Sequence, residues 1–206
     1  VTNNNNYSIR AAVESEDEFG KTVRAFNNML HEIELDKKEL IRLAYYDSLT
    51  TLPNRRMFVG DIELALDHAA KEGEGKVGLM FMDVDRFKAV NDTLGHDIGD
   101  ILLKDVAKRI QTVLPKTATV YRLGGDEFTV IVSGLLSEAG ALNLGDSIIE
   151  EFNCPLLVAG ESLTISISIG IVVSDGNDTA ISIMKNADIA LYRAKDAGRG
   201  NYQLFR

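Results

Sequence analysis

The sequence predicts an α/β fold, a mixed sheet flanked by helices, with a long helix placed before it. Three observations carry that prediction. Strand-like runs with a period of two alternate with longer runs whose apolar residues return every three or four positions. Two strand-like runs, Val120-Tyr121-Arg122-Leu123 and Phe128-Thr129-Val130-Ile131-Val132, are separated only by Gly124-Gly125-Asp126-Glu127, and such residues tolerate the positive φ of a tight hairpin. Before Tyr45 there is a helical pattern and no strand pattern.

Residues 1–9, with the run Asn3–Asn6, read as a disordered start. Phe19, Val23, Phe26, Leu30, Ile33, Lys37, Leu40 and Ala44 then alternate steps of four and three, a heptad seam with one polar break at Lys37. The seam predicts a parallel two-stranded coiled coil; an amphipathic helix lying on the protein's own surface is the alternative. Asp47 to Pro53 breaks the helix, so two domains are expected, 1–45 and 46–206.

In the second domain Asn54 is placed to cap a helix with Phe58, Ile62, Ala65, Leu66 and Ala69 inward, ended by Gly73 and Gly75. Val77–Met82 reads as a buried strand that ends in the carboxylates Asp83 and Asp85. Asp85 is placed to cap a short helix at Arg86–Val90. Asp97 opens the next helix, with Ile98, Ile101, Leu102, Val106, Ile110 and Val113 on one face, stopped by Pro115. After the hairpin, Ser137 caps a helix through Ala141, Leu144, Ile148 and Phe152. Leu163-Thr-Ile-Ser-Ile-Ser-Ile169 alternates strictly, a strand with one apolar and one small polar face. Ala180 to Ala194 is helical, with Gly198 placed to end it, and Tyr202–Phe205 is a last short strand.

Composition narrows the function classes. With 206 residues and 45% hydrophobic content, the chain can bury one good core. A formal charge of −9 argues against nonspecific nucleic-acid binding and suits a site that gathers cations. The single cysteine, Cys154, precludes an internal disulfide and fits a reducing, cytoplasmic compartment. No apolar run approaches the roughly 20 residues needed to span a bilayer, and no signal-peptide pattern opens the sequence.

Chemistry concentrates where the hairpin would meet the strand end. Gly-Gly-Asp alone is an ordinary turn, and Asp-x-Asp alone is an ordinary cap. If the hairpin lies beside Val77–Met82, Asp83, Asp126 and Glu127 converge, and converging carboxylates repel unless a cation lies between them.

Leu123-Gly124-Gly125-Asp126-Glu127-Phe128, preceded by Phe81-x-Asp83-x-Asp85-x-Phe87-Lys88-x-x-Asn91-Asp92-x-x-Gly95-His96-x-x-Gly99-Asp100, resembles the GGDEF domain of diguanylate cyclases. The resemblance continues at Asp47 to Arg56, at Ser166 to Gly170, and from Ala187-Asp188 through Tyr192 and Lys195 to Gly198-Arg199, and so covers residues 46–206. Residues 16–34 also resemble the second half of a HAMP signalling linker, which points to control by an upstream sensor in an inner-membrane-anchored receptor.

The resemblance implies a ferredoxin-like palm and a reaction in which two GTP condense to cyclic di-GMP with release of pyrophosphate. It implies a homodimer with one GTP per half-site. It implies a metal, Mg²⁺ with Mn²⁺ as substitute, held by Asp83, the Val84 carbonyl and Asp126, with Glu127 supporting a second ion. Asp126 is placed as the proton acceptor. Gly124 and Gly125 leave room for nucleotide to approach the backbone. The Arg86 and Phe87 amides, Lys88, Lys195 and Arg199 become phosphate partners, with Lys88 also stabilising transition-state charge. Asn91 and Asp100 match the guanine readers. His96 is a substrate-side position or a structural one; Phe87 and Leu103 wall the base or simply fill core.

In one respect the sequence departs from many relatives. Where those carry Arg-x-x-Asp for product feedback, it has Pro115-Lys-Thr-Ala118. The rival readings are a non-catalytic receptor for GTP or cyclic di-GMP, and a cyclase that closes one nucleotide on itself.

Overall fold

The computed structural model describes residues 9–12, 15, 17–72, 75–158 and 161–206, in two compact units, Val1–Tyr46 and Asp47–Arg206. The expected disordered start lies, apart from Ile9, outside the described residues.

The first unit is built on α1, Glu18–Tyr45. Asp17 caps it, accepting from the Phe19 and Gly20 amides at 3.0 and 3.1 Å. The preceding segment folds back along the helix: Asn27 exchanges two hydrogen bonds with the Ala11 backbone, and Arg10 pairs with Glu34 at 3.1 Å. Along the heptad seam Leu30 is buried, while Phe19 is 73% and Leu40 66% exposed.

The second unit is a five-stranded mixed sheet with strand order β2-β3-β1-β6-β7. Its elements in chain order are α2 (Arg55–Glu72), β1 (Lys76–Val84), α3 (Phe87–Leu94), α4 (His96–Val113), β2 (Ala118–Gly124), β3 (Glu127–Leu135), α5 (Glu138–Glu151), the small pair β4 (Leu156–Val158) and β5 (Glu161–Leu163), β6 (Ile167–Ser174), α6 (Ala180–Asp196) and β7 (Tyr202–Leu204). β1 lies at the centre, antiparallel to both β3 and β6, and β7 runs parallel to β6.

Alternation along β1 divides the core. Met80, Met82 and Val84 join the cluster that includes Leu102, Leu103, Val106 and Ile110 of α4 and Leu144 and Ile148 of α5. Val77, Leu79 and Phe81 face the other way, onto Phe58 and Ile62 of α2 and Ile183 and Ala187 of α6. There Phe58 meets Phe81 and Tyr121 edge-on, with centroids 6.1 and 5.5 Å apart. Helices thus cover both faces of a mixed sheet, the architecture the sequence predicts. Asn54 caps α2 as expected, accepting from the Arg56 and Met57 amides.

Four local expectations are corrected. The strand expected at 163–169 is split: β5 ends at Leu163, and β6 starts at Ile167 and runs on to Ser174. Its small polar face turns inward at Ser168, which is fully buried and donates to Asp85. Asp85 does not cap α3; the N-cap is Arg86, in a left-handed conformation with φ 59°, and no side chain bonds there. Ser137 occupies the N-cap of α5 without a side-chain hydrogen bond. α4 opens at His96, one residue before Asp97, because Gly95 at φ 87° makes the turn between the helices.

Candidate active site at the end of the central strand

β1 ends between two partners. Asp83 lies opposite Glu127 on β3 and opposite Ser168 on β6. Residues directly opposite in an antiparallel pair share a face, so Asp83 and Glu127 leave the sheet on the side covered by α2 and α6. The last turn of α6 brings Lys195 there, with Nζ 2.7 Å from Asp83 Oδ2. Asp126 stands at the hairpin tip, and its carbonyl accepts the Val84 amide at 3.3 Å, which ties the tip to the strand end.

The charge balance at Asp83 is unfavourable. Burial raises its carboxyl above the ordinary range, and the Lys195 hydrogen bond and charge oppose this. The neighbouring Asp126 and Asp85 carboxylates push it further up. Asp83, Asp126 and the strand-end carbonyls form a hard-oxygen donor set, and the Lys195 ammonium already marks where positive charge is favoured. That donor set fits a hard divalent cation. Among the described residues, however, no group of three or more His, Cys, Asp and Glu side chains is gathered closely enough to hold a metal. Glu127 is exposed and lines a cavity of ≈ 310 Å³ with Arg55, Lys185 and Asp188. The Asp126 charge thus acts on Asp83, while Glu127, the cross-strand neighbour of Asp83, stands exposed in this mixed-charge cavity.

The hairpin needs its glycines for the backbone. Gly124 and Gly125 have φ 144° and 54°, and a Cβ at either would meet no atom within 4 Å. Open space above the tip is also what a ligand approaching the backbone requires.

The expected phosphate partners surround this point without being drawn together. Arg86 and Phe87 begin α3, and Lys88 on its first turn is exposed. Arg86 and Arg199 share the lining of a cavity of ≈ 670 Å³ with Asp85. Arg199 sits in the turn after α6, at φ 66°, with Nε 3.9 Å from Asp85. Of the base-reading candidates, Asn91 lies on α3 and Asp100 on the facing α4, where Asp100 and His96 are exposed. The Asn91 Oδ1 is buried and without a hydrogen-bond partner. Phe87 is half-buried beside it, whereas Leu103 is a fully buried member of the core.

Two structural roles are not legible in the sequence. Asp85, 5% exposed, accepts from Ser166 Oγ and Ser168 Oγ at 2.7 Å each and from the Gly200 amide at 3.0 Å. It binds β6 and the 198–200 turn to the end of β1. The signal available was the Ser-x-Ser of the alternating run, which matches the step of Asp-x-Asp. Arg122, 8% exposed, donates to the Gly125 carbonyl through Nε and Nη2 at 3.1 and 2.7 Å and to Asp47 through Nη1 at 2.8 Å. An arginine inside an otherwise apolar strand was its only signal.

Comparison with known proteins gives the same region a family. The model of the diguanylate cyclase GGDEF domain matches residues 44–201. The signaling protein YkoW of Bacillus subtilis is 40% identical over 172 residues, which is 82% of this chain and 21% of YkoW. The diguanylate cyclase TpbB of Pseudomonas aeruginosa is 39% identical over 188 residues, 87% of this chain and 43% of TpbB. The chain thus spans less than half the length of these curated relatives. A solved structure of the coiled coil and GGDEF domain of DgcB from Caulobacter crescentus, in complex with c-di-GMP, superposes with a TM-score of 0.80 at 27% identity, covering 91% of this chain and all of that one. The chain belongs to the GGDEF-domain family of diguanylate cyclases.

Proposed function

We propose that this member of the family condenses two GTP into cyclic di-GMP, as a homodimer with one GTP in each half-site. The observation that carries the reading is the pairing of Asp83 with Lys195 at 2.7 Å beside the Asp126 tip, inside the segment that the family model covers. Attack of one ribose 3′-hydroxyl on the α-phosphate of the second GTP forms a P–O bond and expels pyrophosphate, and the reciprocal attack closes the ring and expels a second pyrophosphate. The chain need not supply a covalent nucleophile; it must orient the two nucleotides and manage charge and a proton.

Asp126 takes the hydroxyl proton. Asp83, the Val84 carbonyl and Asp126 would hold Mg²⁺, or Mn²⁺ in its place, with Glu127 beside a second ion. Such a metal, when bound there, would neutralise phosphate charge and lower the hydroxyl pKa. Lys88, Lys195 and Arg199 and the Arg86 and Phe87 amides receive the phosphates. Asn91 and Asp100 read guanine, with Phe87 and Leu103 near the base and His96 at the substrate rim. Gly124 and Gly125 keep the tip open.

Dimerisation supplies effective concentration, one bound GTP against the other. The exposed seam of α1 supports a parallel coiled coil as the dimerising element, and its HAMP-like sequence supports control by an upstream sensor. No described helix is long and apolar enough to cross a membrane.

The test is incubation with GTP and Mg²⁺, with product mass followed across protein concentrations. Cyclic di-GMP formed at a rate that falls more than proportionally on dilution supports the reading. Tight binding of GTP or cyclic di-GMP without turnover would make the chain a receptor instead, and a cyclic mononucleotide would make it a different cyclase.

A further inference from the structure

The base-reading end of the site contains a fit that the residue types alone do not reveal. Asn91 Oδ1 is enclosed and has no donor among the described residues. What encloses it includes Gly99 of α4: a Cβ built on Gly99 would lie 1.9 Å from that oxygen, 3.0 Å from Asn91 Cγ and 3.2 Å from Phe87 Cζ. Gly99 is buried and has ordinary helical φ. Nothing in its backbone conformation calls for glycine, and glycine is a poor residue for a helix interior. What calls for it is the amide lodged against its Cα.

We infer that Gly99 is a specificity-determining residue: its missing side chain is the slot that holds the Asn91 amide, and beside it the Phe87 ring, in the position that discriminates guanine from adenine. This rests on the reading of the site as a GTP site and adds a residue to it. The argument is one of where a clash would be relieved. At Gly170 a Cβ would strike the Ala187 carbonyl and the Leu191 backbone of α6, so substitution there must move a helix. At Gly99 the first atom struck is the end of a rotatable side chain. An alanine at 99 therefore leaves the helices in place and turns the Asn91 amide out of its slot. The penalty falls on recognition and spares the fold.

The enclosed oxygen sharpens the chemistry. With Oδ1 held against Gly99, the amide N–H₂ is the half of Asn91 left to meet a ligand. A donor at that place suits the carbonyl of guanine and opposes the amino group of adenine, and a site built around such a hydrogen bond discriminates strongly against the analogue that lacks it.

The experiment is a double-mutant cycle read by calorimetry with Mg²⁺ and the α,β-methylene analogues of GTP and ATP, which cannot lose pyrophosphate. Wild type, Gly99→Ala, Asn91→Ala and the double variant are compared, with the thermal midpoint of each. The expected result is a guanine preference in wild type that falls at least about tenfold in Gly99→Ala, with the midpoint within a few degrees of wild type. The double variant should bind no worse than Asn91→Ala, because both substitutions remove one interaction. Gly99→Ser, which adds bulk at the same atom, should behave like Gly99→Ala. A wild type that prefers guanine and a Gly99→Ala that keeps the full preference would overturn the inference alone. So would a double variant whose losses simply add, or a Gly99→Ala that melts far below wild type. A wild type with no guanine preference would overturn the GTP reading and this inference with it.

Discussion

Two turns meet at the end of β1, and opposite charges hold them. The hairpin turn after β2 is held by a cation: Arg122 grips the Gly125 carbonyl with two nitrogens and Asp47 with a third. The turn after α6 is held by an anion: Asp85 takes the Gly200 amide and two serine hydroxyls. Both holding groups are buried and have several hydrogen-bond partners. Between the turns stand Asp83, Asp126 and Lys195, which lack such saturation. Asp83 has one lysine against the repulsion of two carboxylates. The difference separates a frame, whose charges are satisfied within the protein, from a working group, whose charges await a ligand.

The largest effect expected from that division is in the working group. Asp126→Asn keeps the size of the side chain and removes its charge and basicity. GTP turnover should fall at least ~10²-fold, with the far-ultraviolet spectrum and thermal midpoint unchanged. Near-normal turnover would place Asp126 in the frame and erase the distinction.

In the frame the sign is reversed: stability should suffer first. Asp85→Ala leaves Ser166 Oγ, Ser168 Oγ and the Gly200 amide without their acceptor in a buried place. Roughly 2–4 kcal/mol of unfolding free energy should be lost, measured by urea titration. A stability equal to wild type would mean that water replaces the carboxylate and that Asp85 is no strut. Arg122→Lys is milder, costing about 1–3 kcal/mol, because an ammonium cannot span the Gly125 carbonyl and Asp47 together. Its further mark is functional. A loosened hairpin tip should raise the Mg²⁺ concentration needed for half-maximal turnover, an effect that Asp85→Ala, which grips the other turn, should show less.

Much of this frame was hidden in the sequence, and the reason is physical. The hairpin was legible because turn chemistry is local: Gly124-Gly125-Asp126 sits between two runs of strand period. The Asn54 cap was legible for the same reason. The Asp85 role was not, because its partners lie 81 and 83 residues away, and a short carboxylate before a helix looks like a cap. β6 was cut short at Ile169 because the alternation stops at Gly170. The strand continues there, with α6 packed so closely on Gly170 that its Cβ would meet the Ala187 carbonyl at 2.2 Å. The working group was legible through the separate motifs around Asp83, Asp126 and Lys195, although these stand far apart in the chain. The placement of Glu127 on a face with Arg55 and Lys185 needed the fold.

A further expectation concerns feedback at a place outside both turns. Pro115 and Ala118 form a tight turn, with the Ala118 amide donating to the Pro115 carbonyl at 3.0 Å, and neither can offer a guanidinium or a carboxylate. Loss of two charge-assisted contacts should weaken binding of cyclic di-GMP there by at least about a hundredfold. Calorimetric titration of nucleotide-free protein checks this; submicromolar binding near Pro115–Ala118, with matching inhibition in progress curves, would refute it.

The smallest effect, and the one that tests the division most directly, is in the pH dependence of stability of two carboxylates. Burial alone would raise Asp47, but the Thr50 hydroxyl and amide and the Arg122 guanidinium outweigh it and hold the carboxyl below its ordinary value of 3.8. A lowered folded-state value contributes stability above the unfolded value, lost as pH falls through the folded one. Asp83 is shifted the other way, chiefly by burial, with Lys195 only partly offsetting it. A raised folded-state value means stability that is full below 3.8 and is lost as pH rises through the folded value. Compared with wild type in metal-free buffer, Asp47→Asn should therefore fall behind in stability as pH rises from the lowered folded value to 3.8 and stay behind by a constant amount above it, while Asp83→Asn should gain stability over the window that starts near 3.8 and closes above the raised value. Mg²⁺ at neutral pH should stabilise wild type and leave Asp83→Asn nearly unmoved, since the substitution removes the charge that the ion would relieve. Urea titrations at a series of pH values, with and without Mg²⁺, read all of these. If the two variants follow the same pH trend, the charges at Asp47 and Asp83 are not managed differently, and the separation of frame from working group fails at its most direct point.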